Sequence, residues 1–527
     1  MKYNIFFIGF AMLLLTLFSC NEDEFFELEQ PPVFPYTDVT SLERSVISLY
    51  QRALTNQDWD NPWVNHVILR ESVGDHVGFA DDTQWDYDRS VKDWSVYTYS
   101  AWVSFYQVIS AANFTLDYLE ENDWNPYPDI TEADRENNLN RIIGELYFMR
   151  GYAYYHLALM HCTPYEKDGL NDTKDIPLRK HWPENTNEAS APHIGTTQEI
   201  YDLLVNDFKK AKDYLPLKYI PGKMHPSYQA GRANKFAAAA MLSRTYFQRH
   251  EFDLAEQECD FIIDQNNGEY DLSEDPIEAF NKSSLDRGKE VIMYAAYYDE
   301  VDAELQGFFH LTVLNHRYNG GFSTWVETHM AENALKRLGW MPDPLNDTTI
   351  TDVARRDKRF QQLFVVREPY IKPIFQTDTN AYYESRKYFD YRTIVSDRTE
   401  RGPKGQYTNY PMIRLAEIYL TRSICRFLDG DKQGAADDLN VVRERAWDET
   451  VGGTYVDATS AEITEQMINE ERLVEMYAEG DRVHYLRGLM DPIPPGDRKG
   501  ISDLPWNSAD LVWAIPTEEI LLNESLY

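Results

Sequence analysis

Glu471, Glu475 and Glu479 stand at i, i+4 and i+8 in the stretch EERLVEMYAEGDR, so a helix would set three carboxylates on one face, where they repel one another unless neutralised. Such a stripe is either a set of acid–base groups or the anionic half of an ion-pair network. Arg472 and Arg482 flank it and Arg443 and Arg445 lie upstream, which favours the network. Glu71 and Asp75 are one turn apart, but among 87 acidic residues some pair always stands at glycosidase separation, so spacing alone assigns them no role. His156 with His161, and His310 with His316, miss the i, i+4 spacing at which one helical face holds zinc, and they are expected as core or surface histidines. The chain has no GxSxG, Walker, GxGxxG or HExxH pattern. No catalytic residue, metal or cofactor is therefore expected.

Aromatic residues offer a different chemistry. Five of the twelve tryptophans fall between Trp59 and Tyr106, and Trp85 and Trp94 sit among Asp81, Asp82, Asp86, Asp88 and Asp93, a setting too polar for an ordinary core. A flat ring can cover the apolar face of a pyranose while neighbouring carboxylates accept bonds from its hydroxyls. Trp102, Tyr106 and Ile109 return to helical spacing and belong to a core. Tyr297 and Trp325 lie in an irregular middle section, where insertions into a repeat scaffold gather on one face. Trp85, Trp94, Tyr297 and Trp325 are the candidate sugar platform. Core packing competes, most strongly at Tyr297, which follows a possible short strand at Val291–Tyr294.

The elements that must position these residues are helical. In Gly231 to Ile263, Ala238, Leu242 and Tyr246 make one stripe and Phe252, Ala255, Cys259 and Ile262 another, the arrangement of a tetratricopeptide unit of two antiparallel helices. One unit cannot bury its own apolar face, so more are required. Ile142, Leu146, Met149, Ala153, Leu157 and Met160 draw a second face, which pairs, across a stretched connection rich in Asp, Asn and Pro, with Leu204, Phe208 and Ala211. A third pair follows from Tyr410, with Ile413, Ala416, Leu420 and Ile424, a break at Gly430, then Ala435, Leu439 and Val442. The pairs span about 141–215, 231–263 and 409–446. Capping boxes at Thr40–Glu43, Thr196–Glu199 and Thr459–Glu462 mark helix starts, the first opening a helix with Val46, Leu49 and Tyr50 on one face, the last a helix that Gly480 can end.

Residues 1–19 pair Lys2 with a short apolar run, as in a signal peptide. Leu17-Phe18-Ser19-Cys20 resembles the lipobox of bacterial lipoproteins, with Phe18 bulkier than usual, so Cys20 is expected as a lipidated first residue; plain secretion is the alternative. Residues 20–40 are acidic and broken by proline, a tether to a single helical domain over 41–527. Cleavage takes the formal charge from −36 to −37, which argues against nucleic acid and favours a neutral ligand over a polyanion. The remaining Cys162, Cys259 and Cys425 each lie in an apolar helical pattern and are expected as buried thiols.

Several motifs resemble one family. Glu145-Leu146-Tyr147-Phe148-Met149-Arg150-Gly151-Tyr152-Ala153-Tyr154-Tyr155, Gly231-Arg232-Ala233, Asn409 to Leu420 (NYPMIRLAEIYL), Leu439 to Ala446 (LNVVRERA), Glu471-Arg472 with Glu475, Glu479-Gly480 and Arg482, and Trp513-Ala514-Ile515-Pro516 with Asn523 are similar to the spaced motifs of the SusD/RagB outer-membrane lipoproteins. The chain departs from them at Ser423-Ile424-Cys425, a packing position. The resemblance implies a mainly α-helical, monomeric, cell-surface lipoprotein of a Gram-negative outer membrane. It would touch the membrane through its N-terminal lipid only, hold glycan through aromatic loops without catalytic residues, and sit over a SusC-like, TonB-dependent transporter. Two other classes compete, a helical glycoside hydrolase and a peptide-binding repeat scaffold.

Overall fold

The computed structural model describes residues 36–54, 70–79, 89, 91, 95–296, 328–341, 350–367, 382–385, 387 and 409–522. Contacts divide the chain into Met1–Leu42 and Glu43–Tyr527. Among the described residues ten helices carry the fold: α1 Val39–Leu54, α2 Ser95–Glu121, α3 Asn140–His161, α4 Thr197–Tyr214, α5 Lys235–Gln248, α6 Phe252–Gln265, α7 Leu415–Asp429, α8 Lys432–Ala446, α9 Glu465–Glu475 and α10 Arg482–Gly488. From α2 to α8 each packs on the next in chain order, α9 closes against α7 and α8, and α10 lies against α5. The expected tetratricopeptide-like scaffold is therefore present, as one continuous array.

Two helix pairs repeat the same internal contact. The Ser243 hydroxyl on α5 donates to the Ala255 carbonyl on α6 at 3.1 Å, and the Ser423 hydroxyl on α7 donates to the Ala435 carbonyl on α8 at 2.7 Å. A small residue at this point lets the partner helix approach until its backbone is within reach of a hydroxyl. α3 is buried from Arg141 to His161 without a break, so the single apolar face read from its spacing is too narrow: α2 covers one side and α4 another. Glycine makes the second approach possible, because a Cβ on Gly144 would meet Leu215 at 2.8 Å.

Caps set the helix starts, and not always where the spacing suggests. Thr196 and Glu199 form the expected reciprocal box before α4. Before α1, Asp38 and Ser41 exchange the bonds instead, Ser41 N–H to Asp38 Oδ1 at 2.8 Å and Asp38 N–H to Ser41 Oγ at 3.2 Å, and Glu43 is spent on buried arginines. Thr459 and Glu462 do bond, but α9 begins later, capped by Thr464, and ends at Glu475, short of Gly480.

Among the described residues eight short strands form four antiparallel pairs. β1 Val77–Phe79 pairs with β5 Thr328–Met330, β2 Lys174–Pro177 with β3 Ile194–Thr196, β4 Val291–Ala295 with β8 Tyr410–Arg414, and β6 Phe364–Arg367 with β7 Tyr382–Ser385. The helix expected from Tyr410 is thus a strand for its first five residues, Ile413 included, and α7 starts at Leu415. Pro411 has no N–H for an α-helical ladder and biases Tyr410 to extended backbone, while register shifts on β4 on either side of Met293 accommodate it.

The C-terminal segment returns to the start of this unit. Arg482 binds Asp75 through Nε at 2.8 Å, the Gly480 N–H reaches Glu71, Arg498 donates to the Gly74 carbonyl at 2.9 Å, and Arg89 donates to the Ile493 carbonyl at 2.9 Å. No described helix is long and apolar enough to cross a membrane.

Candidate functional site

The carboxylates that could have done acid–base chemistry are occupied. Arg414 holds Glu290 at 2.6 Å, Glu475 at 2.8 Å and Glu479 at 2.7 Å. Arg445 closes the ring on Glu290 and Glu475, and Lys387 reaches Glu479 at 2.6 Å. Arg359 and Arg443 take Glu471. The network expected from sequence is real, and Arg443 and Arg445 belong to it, but Arg472 and Arg482 turn to Asp481 and Asp75. Arg414, Arg359 and Lys387 were invisible to local spacing because their closeness is tertiary. Burial alone would raise the Glu475 carboxyl, yet the guanidinium groups of Arg445, Arg414 and Arg359 outweigh it and hold it well below the usual range. At Asp75 burial is likewise overcome by Arg482 and Arg337. A glycosidase acid needs the opposite, a carboxyl raised until it keeps its proton.

A second buried network joins Glu43, Arg141, Glu145 and Arg232, with Arg232 Nη2 at 2.7 Å from Glu145. The Tyr50 hydroxyl donates to Glu145 at 3.0 Å and accepts the Ala233 N–H at 3.0 Å. These groups weld α1, α3 and the turn before α5 together. The histidines are structural: His156 stacks on Phe105 and His161 bonds through Nδ1 to the Trp513 carbonyl at 3.2 Å. His310 and His316 lie outside the described residues. Cys162, Cys259 and Cys425 are free and buried, and burial pushes the Cys259 thiol up to about 12. A small pocket is lined by Tyr155, Arg244, Glu417, Arg472, Asp481 and Tyr485, among others. Its charges neutralise one another, Arg244 on Glu417 and Arg472 on Asp481.

Trp85, Trp94, Tyr297, Trp325 and Cys20 all lie outside the described residues. Described chain flanks the four aromatic positions. Phe79 of β1 pairs with Thr328 of β5, which brings the chain six residues before Trp85 beside the chain three residues after Trp325. Tyr297 follows β4 by two residues, and α2 begins directly after Trp94. The described surface holds one feature the sequence reasoning passed over. Trp182, in the polar connection between α3 and α4, is exposed, and beside it the ligand atoms of Asp117, Glu120 and His181 come within 4.8 Å of one another, the one such group among the described residues. A tryptophan flanked by His181 and Pro183 in a stretch of Asp and Asn was the available signal.

Fold and site together define a helical-repeat scaffold with long aromatic-rich connections and with its singled-out carboxylates consumed in internal ion pairs. Two family models match most of the chain, one described as starch-binding associating with outer membrane over residues 25–247 and the other as SusD family over residues 289–487. The chain belongs to the SusD/RagB family. It is 22% identical to SusD-like protein P2 of Formosa agariphila, over 100% of this chain and 98% of that protein, and 24% identical to SusD-like protein P25 of the same organism, over 84% and 81%. The fold is shared with solved structures described as a putative sugar binding protein of Bacteroides vulgatus (TM-score 0.68, 19% identity, 92% of this chain and 97% of that one) and a SusD-like carbohydrate binding protein of the same species (TM-score 0.67, 17% identity, 93% and 97%).

Proposed function

We propose that this protein captures a neutral glycan at the cell surface and hands it, without cleavage, to a SusC-like, TonB-dependent transporter. Membership of the SusD/RagB family carries the proposal, together with relatives whose descriptions name sugar or carbohydrate binding. The ion-paired state of Glu471, Glu475, Glu479 and Asp75 supports capture over hydrolysis. Residues 1–19 act as signal peptide, Cys20 carries the lipid, 20–40 form the tether and 41–527 the binding domain. Trp85, Trp94, Tyr297 and Trp325 supply the stacking rings, and a charge near −37 favours a neutral ligand, although screening confines that repulsion to about 8 Å at physiological salt.

The test is retention of the protein on a panel of neutral polysaccharides, followed by prolonged incubation with any that retains it. Retention with unchanged chain length is expected, and a shortened product that disappears when one carboxylate is mutated would overturn it. Alanine at a stacking ring should cost about 1 to 3 kcal/mol of binding, by analogy with bases stacked on aromatic side chains, with little change in Tm. Four alanine variants that melt early yet bind normally would return those rings to the core.

A further inference from the structure

Trp182 is 45% exposed, the one exposed tryptophan among the described residues, and the chain that carries it is held rigidly. The Arg179 N–H donates to the Tyr154 hydroxyl at 2.7 Å and the Arg179 carbonyl accepts from Asn113 at 3.0 Å. Arg150, fixed by two bonds of 2.8 Å to Asp207, donates to the Lys180 carbonyl at 3.1 Å. Asp117 accepts the Trp182 N–H at 2.6 Å and meets His181 Nδ1 at 2.8 Å. Side chains of α2, α3 and α4 thus pin the backbone leading to an indole that stays in water, with the Phe114 ring 5.4 Å away at 75°. Pinning an exposed ring adds little to folding but lowers the ordering cost of binding.

The geometry points to a second saccharide-contact surface: the Trp182 face takes the apolar face of a neutral pyranose, and Asp117, Glu120 and His181 exchange hydrogen bonds with its hydroxyls. This rests on the glycan-capture proposal above. Each Asp117 oxygen already accepts one hydrogen bond and keeps a second acceptor site, which suits a sugar hydroxyl. One ring among charged side chains is too small an apolar area for a protein partner, which buries about 800 Å² on each side. Asp117 lies 22 residues along α2 from Ser95, or about 33 Å, and Ser95 directly follows Trp94. A surface that far away adds avidity for long chains and little for short ones.

Hydroxyl-radical footprinting with mass spectrometry, on the full-length protein in detergent with soluble starch, arabinoxylan, galactomannan or a β-1,3-glucan, reads the surface directly. With any polymer that retains the protein, Trp182 should become protected. Trp182→Ala should weaken binding of that polymer about tenfold with unchanged Tm and unchanged affinity for its trisaccharide; Trp182→Phe should recover part of the loss. A retained polymer that leaves Trp182 unprotected overturns this surface and leaves glycan capture standing. Protection only when a SusC-like transporter is present also overturns it, and makes the ledge a protein contact. No retention on any polymer overturns both proposals.

Discussion

At the scale of single residues, His161 shows how burial sets a pH limit on stability. Enclosed beside Trp102 at 5.0 Å between rings, it is pushed down by burial to about 4, against an ordinary value of about 6.5 when the chain unfolds. Above pH 6.5 both forms are neutral and the full stability is present. As pH falls from 6.5 the unfolded chain takes the proton first, and stability declines until about pH 4, by about 3 kcal/mol in total. His329, also pushed by burial to about 4, adds to the decline in the same window. The ion-paired carboxyls of Asp75 and Glu475 are depressed, so their contribution is lost at lower pH, below the unfolded carboxylate range. Urea midpoints measured from pH 7 to pH 5 should therefore fall less steeply for His161→Gln than for the wild type. Parallel slopes would show that this histidine does not titrate as described.

At the scale of elements, the turn before α5 is a tight joint in the array. Gly231 has φ +74°, and a Cβ there would stand 2.3 Å from the Tyr294 carbonyl oxygen on β4. Gly231→Ala should cost about 2 to 5 kcal/mol, from left-handed backbone strain and overpacking together, read as a drop in Tm with far-ultraviolet circular dichroism retained at low temperature. An unchanged Tm would mean that β4 can move away. The repeat was legible here because its signals are local: Ala255, Cys259 and Ile262 recur at helical spacing, and all three are buried. What escaped was set by partners far along the chain. Tyr410–Arg414 has apolar residues that either element could use; Pro411 disfavours helix locally, and pairing with Val291–Ala295, more than a hundred residues earlier, completes the strand. Glu43 fits a capping box until Arg141 and Arg232 claim it. Polar neighbours in the sequence single out Trp85 and Trp94 but not Trp182, whose support comes from α2, α3 and α4.

At the scale of the whole molecule, the proposed lipid on Cys20 would fix where the scaffold works. Mass spectrometry of protein extracted from membranes should find a lipid-modified N-terminal cysteine at position 20, and Cys20→Ala should move the protein to the soluble fraction. A free N-terminus at any other residue would exclude the anchor and leave plain secretion.

The two buried ion networks also impose an order in time. The first draws on Glu43, Arg141, Glu145 and Arg232, so all its charges are available before half the chain has been synthesised or passed through a translocation pore. The second needs residues from Glu290 to Glu479. The bridge from Arg482 to Asp75 spans 407 positions and forms only when nearly everything else has arrived. Until Arg337 and then Arg482 reach it, Asp75 keeps its water, because an unpaired charge is too costly to bury. A chain that emerges from its N-terminus onward can settle its first half early, while its two ends stay apart until the last tenth of the sequence fastens them.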